Sequence, residues 1–172
     1  MTVFLVPLAT TLTAALAGRM QAPRPSRKFE DLVVGETRQS HAVTVTEGEI
    51  TDFARRYDPQ WFHVDPQAAR GSHFGEVVAS GVHVLAIWRR LDHAINSDID
   101  FVCGIGFDDF RLKTALRADD TVHALSRIVA LTPSTSGKPR GTATTYYELR
   151  NQRGEVVVQF NSINLVYTRD AA

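Results

Sequence analysis

FARRYDPQWFHVDPQAARGSHFGEVVASGVH, Phe53 to His83, is the stretch in which the chain passes from short elements into one long helix. Just upstream, Thr46-Glu47-Gly48-Glu49 has the form of a capping box, with Thr46 as N-cap and Glu49 three residues on. The helix it opens runs through Ile50, Phe53 and Ala54 and is expected to stop near Tyr57. Asp58 precedes Pro59 and is thereby pushed toward extended geometry, so it begins a loop. Asp65-Pro66 reads as a second start, Asp65 capping and Pro66 at the first helical position of a short helix over Gln67 to Arg70, which Gly71 ends. From about Ser80 to Ile95, Val84, Leu85, Ile87, Trp88, Leu91 and Ile95 recur at spacings that build a broad apolar face, predicting a central helix.

Outward from that helix the pattern becomes that of strands. Thr37 to Thr46 carries β-branched residues upstream, and Phe101 to Leu112, Thr121 to Leu131, Gly141 to Asn151 and Glu155 to Tyr167 follow downstream. Gln152-Arg153-Gly154 joins the last two as a hairpin turn, and Thr132 to Arg140 is rich in turn formers and expected in an exposed loop. A strand, a long helix and four strands predict an α+β domain in which an antiparallel sheet lays one face on a helix.

Composition sets the outer bounds. A chain of 172 residues has room for one domain with a substantial core. Its 19 Lys and Arg balance 19 Asp and Glu, so no global field draws it to nucleic acid or an anionic membrane. The single cysteine, Cys103, excludes an intramolecular disulfide and a multi-cysteine zinc site. Lying in apolar FVCGIGFDDF, it reads as a buried thiol. Residues 1–28 read as a leader, 29–168 as the domain and 169–172 as a tail. The run Thr2 to Gly18 is uncharged, ends in Ala15-Leu16-Ala17 and is signal-like, but no Lys or Arg precedes it and it is shorter than a membrane-spanning helix needs. A disordered or mis-assigned extension before Met20 and an export or membrane signal both remain open. The expected location is cytoplasmic, with no stable membrane span.

The segment from Phe53 to His83 resembles the signature of MaoC-like dehydratases and (R)-specific enoyl-CoA hydratases. That family carries an Asp and a His five residues apart around a tight turn, then HxDP, a short helix and a Gly that opens the central helix. Here these are Asp58, His63, Asp65-Pro66 and Gly81. The likeness continues in GIGFDDFRLK, in Ser134 to Gly141 and in NQRGEVV, and covers roughly residues 29 to 168. It implies a hotdog fold, a central helix wrapped by an antiparallel sheet, and a homodimer with the acyl tunnel at the interface. It further implies an acyl-CoA substrate in fatty acid metabolism and reversible addition of water to a trans-2-enoyl thioester.

Such chemistry needs a base for a water proton, an acid for the α-carbon and a donor for the developing enolate oxygen. The resemblance assigns the first two roles to Asp58 and His63 and the third to the backbone N–H at Gly81, where a helix start favours negative charge. Taken alone, Asp58 before Pro59 reads as a turn residue and His63 as a satisfied semi-buried histidine; their joint spacing favours the catalytic reading. Gln60, Phe62, Ser80 and His83 are the expected substrate-binding residues, although His83 fits a core-facing position equally well. Asp65 is set aside as a helix cap. Gln60 with Trp61, and Ala79-Ser80 before Gly81, depart from the usual family residues in a way that bears on substrate more than on reaction, whereas Ala118-Asp119-Asp120 in place of a Pro-Gly-Asp turn touches structure and not chemistry. A hotdog acyl-CoA thioesterase and a non-catalytic acyl-binding subunit of a heteromeric dehydratase are the competing readings.

No metal or redox cofactor is expected, coenzyme A being part of the substrate. His41, His73, His93 and His123 lack the spacing of a metal pair on one helix face. Gly104-Ile105-Gly106 is followed by no helix, which removes the context of a dinucleotide loop. Arg89, Arg90, Arg111 and Lys113 are candidate contacts to the phosphates of coenzyme A, or solvated surface charge.

Overall fold

The computed structural model describes residues 24–170. The signal-like run over 2–18, and most of the leader expected over 1–28, lie outside the described residues. Residues 24–28 are held against the domain. Arg24 Nε reaches the buried Asp100 carboxylate at 2.9 Å, Lys28 pairs with the same group, and Arg27 meets Glu36 at 2.8 Å.

A 3-10 turn at Phe29–Asp31 leads into β1 (Thr37–Gln39) and β2 (Val43–Thr44). The sequence reads as one continuous strand here, but Ser40 breaks it. Its N–H donates to Ala124 O while its hydroxyl oxygen accepts from Ala124 N–H, both at 2.9 Å, so a side chain replaces a backbone rung. Helix α1 (Glu47–Tyr57) starts on the expected capping box, Thr46 Oγ1 accepting from Glu49 N–H and Glu49 accepting from Thr46 N–H. Burial of Ile50 and Ala54 seats its inner face. The Asp58–Asp65 loop contains a helical turn the sequence did not signal, α2 (Trp61–Val64), and α3 (Pro66–Ala69) follows, its first N–H groups capped by Asp65.

Helix α4 (Gly81–Asn96) matches the expected central helix to within a residue at each end. Its buried residues include Val84, Trp88 and Leu91, at the spacing of a single face. That face packs on a wholly antiparallel sheet completed by β3 (Phe101–Leu112), β4 (Thr121–Pro133), β5 (Arg140–Asn151) and β6 (Val156–Tyr167). The strand order is β1-β4-β5-β6-β3, with β2 also on β4. Along β5 and β6 burial alternates, putting Leu149, Tyr147, Thr145 and Ala143, and Val158, Phe160, Ser162, Asn164 and Val166, on the covered face.

The apolar core comes in two parts. The larger gathers Val84, Trp88, Leu91, Tyr147, Leu149, Val158 and Phe160; the smaller gathers Leu32, Ile99, Ile128, Ala143 and Val166. Strand β3 is the long edge of the sheet, and for that reason Cys103, expected to be buried, is exposed. Among the described residues no helix is long and apolar enough to cross a membrane.

Candidate functional site

Asp58 is the C-cap of α1, leaving the helix at φ −155° and ψ 71° with its N–H still bonded to Ala54 O. The α2 turn that follows carries His63 back beneath it. His63 is buried, and its Nδ1 lies 2.6 Å from Val78 O, so the carbonyl fixes the tautomer: Nδ1 carries the proton and donates it. The remaining nitrogen, Nε2, faces Asp58 Oδ2 across 3.9 Å. Gln60 Nε2 donates to the other carboxylate oxygen, Asp58 Oδ1, at 3.1 Å and holds it from the solvent side. Phe62 packs its ring against the His63 ring with centroids 4.4 Å apart.

His63 and Gly81 line one cavity of about 320 Å³, together with Phe62, Phe74, Leu112 and Lys113. Gly81 is the first residue of α4. Intrahelical bonding begins with Val84 N–H to Ser80 O, and Ser80 Oγ takes the His83 N–H, which leaves the Gly81 and Val82 N–H groups ahead of the ladder. A Cβ on Gly81 would stand 2.7 Å from Leu112 Cδ1, so glycine is what lets β3 close over the helix start. The cavity therefore joins an imidazole, free backbone donors at a positive helix end, and apolar walls.

The structure thus brings Asp58, Gln60, Phe62, His63 and Gly81 together. It does not bring Ser80 and His83 with them. Ser80 is 1% exposed, its hydroxyl spent on the helix cap. His83 stacks on Phe53, centroids 4.3 Å apart, and lines a separate groove of about 450 Å³ between α1 and α4, with Glu49, Tyr57, Ile87 and Arg90. Burial lowers its pKa below the usual imidazole value, opposed by the nearby Glu49 carboxylate. The candidate phosphate contacts also separate: Lys113 reaches the His63 cavity, Arg90 lines the His83 groove, and Arg89 is paired with Asp92. Two contributors escaped the sequence reading, the Val78 carbonyl and the Leu112 side chain. No side-chain signal marks a carbonyl, and Leu112 reaches the site only through sheet topology. Among the described residues no group of three or more His, Cys, Asp or Glu side chains could hold a metal ion.

Comparison with known proteins places this geometry in context. The family model described as a MaoC like domain matches residues 28–151. A protein named 3-hydroxyacyl-thioester dehydratase Z from Mycobacterium tuberculosis is 31% identical over 114 residues, spanning 64% of this chain and 76% of that one. The crystal structure of a MaoC-like dehydratase from Rhodospirillum rubrum superposes with a TM-score of 0.78 at 35% identity, covering 84% of this chain and 99% of that one. A structure from Mycobacterium tuberculosis, described as a double hotdog fold, superposes with a TM-score of 0.67 at 14% identity, covering 85% of this chain and 46% of that one, and speaks to fold alone. The domain is a hotdog fold, and the chain belongs to the MaoC-like domain family.

Proposed function

We propose that the protein adds water reversibly to the double bond of a trans-2-enoyl-CoA, using Asp58 and His63 on the water and the N–H at Gly81 on the thioester carbonyl. The observation that carries this reading is the facing of Asp58 Oδ2 and His63 Nε2 at 3.9 Å with Nδ1 already committed to Val78 O. Two acceptors cannot hydrogen-bond each other, and at that separation they suit one water that donates a hydrogen to each. In the forward direction the water oxygen adds to Cβ, one of the pair takes its proton, and a proton is returned to Cα from the same side. Negative charge gathers meanwhile on the thioester oxygen, where the Gly81 N–H and the α4 N-terminus stabilise it. Phe62 and Leu112 supply the apolar walls that strengthen these interactions.

Gln60 positions Asp58, and Lys113 at the cavity is suited to a coenzyme A phosphate as a point charge. The working assembly is proposed to be a homodimer joined along β3, where Ile105, Phe107 and Leu112 are exposed large apolar residues on a sheet edge. The names carried by the Mycobacterium and Rhodospirillum relatives support an acyl-thioester dehydratase. Loss of enoyl absorbance with the thioester intact, in purified protein given enoyl-CoAs of several chain lengths, is the expected result. Asp58→Asn and His63→Gln should each lower that rate by about 100-fold or more while the protein stays folded. Release of free coenzyme A would indicate hydrolysis instead, and undiminished hydration in both variants would falsify the assignment.

A further inference from the structure

Between α3 and α4 the chain crosses Gly71 to Ala79 in turns and a single β-bridge, with no helix or strand. This irregular stretch nevertheless supplies Phe74, Val78 and Ala79 to the His63 cavity, and with them the carbonyl that fixes the His63 tautomer. Its first half is tied to itself, Phe74 N–H donating to Ser72 Oγ and Gly75 N–H to Ser72 O, both at 3.1 Å. Beyond Gly75 the attachment is to the segment that follows β3. Val78 forms an isolated antiparallel bridge with Arg117, and Ala79 N–H donates to Leu116 O at 2.8 Å. That bond makes Val78 and Arg117 a non-hydrogen-bonded pair, in which the N–H and C=O of Val78 are turned away from the opposing strand. The Val78 carbonyl is thereby aimed at His63.

One rung fixes a point and not a direction. The direction comes from the Arg117 side chain, whose Nη1 donates to Phe74 O at 3.1 Å and pairs with the Glu76 carboxylate. The segment is thus held at two places, Phe74 and Val78, by one residue. Arg117 itself stands on a fixed base, its N–H donating to Asp120 Oδ2 at 2.9 Å. The buried Asp120 carboxylate also takes Gln152 Nε2 at 2.7 Å and Arg153 Nη1 at 3.2 Å. Phe74, so held, packs on Phe62 with centroids 5.6 Å apart, and Phe62 packs on His63. The guanidinium therefore reaches the imidazole by two routes, the Val78 carbonyl and the Phe74–Phe62 wall, although it lines no part of the cavity. A part-exposed pair such as Arg117–Glu76 adds little stability, and its consequence is directional.

We infer that Arg117 is a positioning residue for His63: by holding Phe74 O and Glu76 it keeps Val78 O on Nδ1, and so keeps Nε2 unprotonated toward Asp58. The inference rests on the hydration reading for what Nε2 does there. Once the clamp is released, Val78 O swings off Nδ1 and leaves the buried ring with an unmet donor. The ring proton then leaves Nδ1 to solvent water and another is taken up at Nε2, where the Asp58 carboxylate is the acceptor at hand. The exchange is one of tautomer and not of charge. An Nε2–H directed at Asp58 Oδ2 occupies the position that the reacting water needs, so the site keeps its walls and its Gly81 donor but no longer holds water between two acceptors.

The test is nitrogen NMR of the full chain labelled in its histidine rings, the His63 signal being the one lost in His63→Gln, alongside enoyl-CoA hydration kinetics. The unmodified protein should show the Nδ1–H tautomer at His63. Arg117→Met keeps the aliphatic stem and removes the donors. It should shift the signal toward the Nε2–H tautomer and lower kcat about tenfold, with KM changed by less than about twofold. Arg117→Lys, whose ammonium can donate to Phe74 O and Glu76 together, should recover part of both. Glu76→Ala leaves the Phe74 bond in place and should move both readouts the same way by less; it decides the matter if the methionine variant does not fold. Gly141→Ala, overpacked outside the cavity, should leave tautomer and kcat unmoved, which separates positioning from general loosening. An Nε2–H ring in the unmodified protein, a signal unmoved in the folded Arg117 and Glu76 variants, a shifted tautomer with undiminished kcat, a lysine variant no better than methionine, or the same shift in Gly141→Ala would overturn the inference. A tautomer shift in protein that hydrates no enoyl-CoA defeats the proposed reaction and leaves the positioning role standing, whereas hydration insensitive to Arg117 defeats this inference alone.

Discussion

Leu112 Cδ1 closes over Gly81 so tightly that a single added methyl at the helix start would overlap it, at 2.7 Å. The obstruction is the tip of a half-exposed side chain, which can swing away, and alanine is the better helix former. Gly81→Ala should therefore fold with a stability change within about 1 kcal/mol. Hydration should nevertheless drop by about tenfold or more, because the displaced leucine enters the space of the thioester. Adding Leu112→Ala should restore part of the rate; thermal melts and enoyl-CoA kinetics on the two variants check both halves.

A different glycine should behave oppositely. The Phe29 ring occupies the place of a Cβ on Gly141 with three of its carbons, not one flexible tip. Gly141→Ala is expected to destabilise by about 1–3 kcal/mol, as overpacking does, and to loosen the 3-10 turn from β5. Denaturant titration gives the loss. Phe29→Ala in the same chain should make the second substitution nearly silent, a coupling readable as a double-mutant cycle.

Acid sensitivity should trace in part to His83. Burial holds its pKa below 6.5, with Glu49 acting the other way, and Asp52, Arg56 and Arg90 also face the groove. The folded state thus prefers the neutral ring, and this contribution is fully present above the unfolded value. As pH falls below 6.5 the unfolded chain takes up the proton first, so stability is lost down through the folded pKa. Melting temperatures taken downward from neutral pH should fall more steeply for the unmodified protein than for His83→Leu. Parallel profiles would remove His83 from the account.

The Asp92 carboxylate gathers three donors in the interior. Burial, and then the negative charge of Asp92, push the Tyr147 hydroxyl well above the ordinary phenol value and keep it a donor. Asp92→Leu would strand the Tyr147 hydroxyl proton in a dry site, leave Asn96 Nδ2 with the Tyr147 oxygen at 3.1 Å as its acceptor, and should cost about 3 kcal/mol. Tyr147→Phe and Asn96→Leu combined with it, which remove both donors of the triad, should recover part of that loss, measured by chemical denaturation.

Elements whose cause is local were legible in the sequence. The Thr46–Glu49 box, the Asp65 cap and the apolar period of α4 each lie within a few residues and predict the observed helices. The break between β1 and β2 was not legible, because it depends on Ser40 bonding Ala124, which is remote in sequence. Cys103 misled for the same reason, since nothing in FVCGIGFDDF says that this strand has a neighbour on one side only. At the site, the spacing of Asp58 and His63 foretold their meeting. His83 is two residues beyond Gly81, which is about 200° around a helix, so closeness in sequence carried it to the opposite groove. The polar band around Asp92 is assembled from separate strands and a helix, and no window of sequence contains it.

The pairing of β3 with β6 slips between Phe101 and Cys103, between Gly104 and Gly106, and between Asp108 and Arg111. An edge kinked in this way offers no long flat row of donors and acceptors on which strand after strand could stack. It can be matched over a limited length by a partner of the same curvature, but it is a poor seed for fibrils. The irregularities thus help to keep a twelve-residue edge strand from recruiting copies of itself without end.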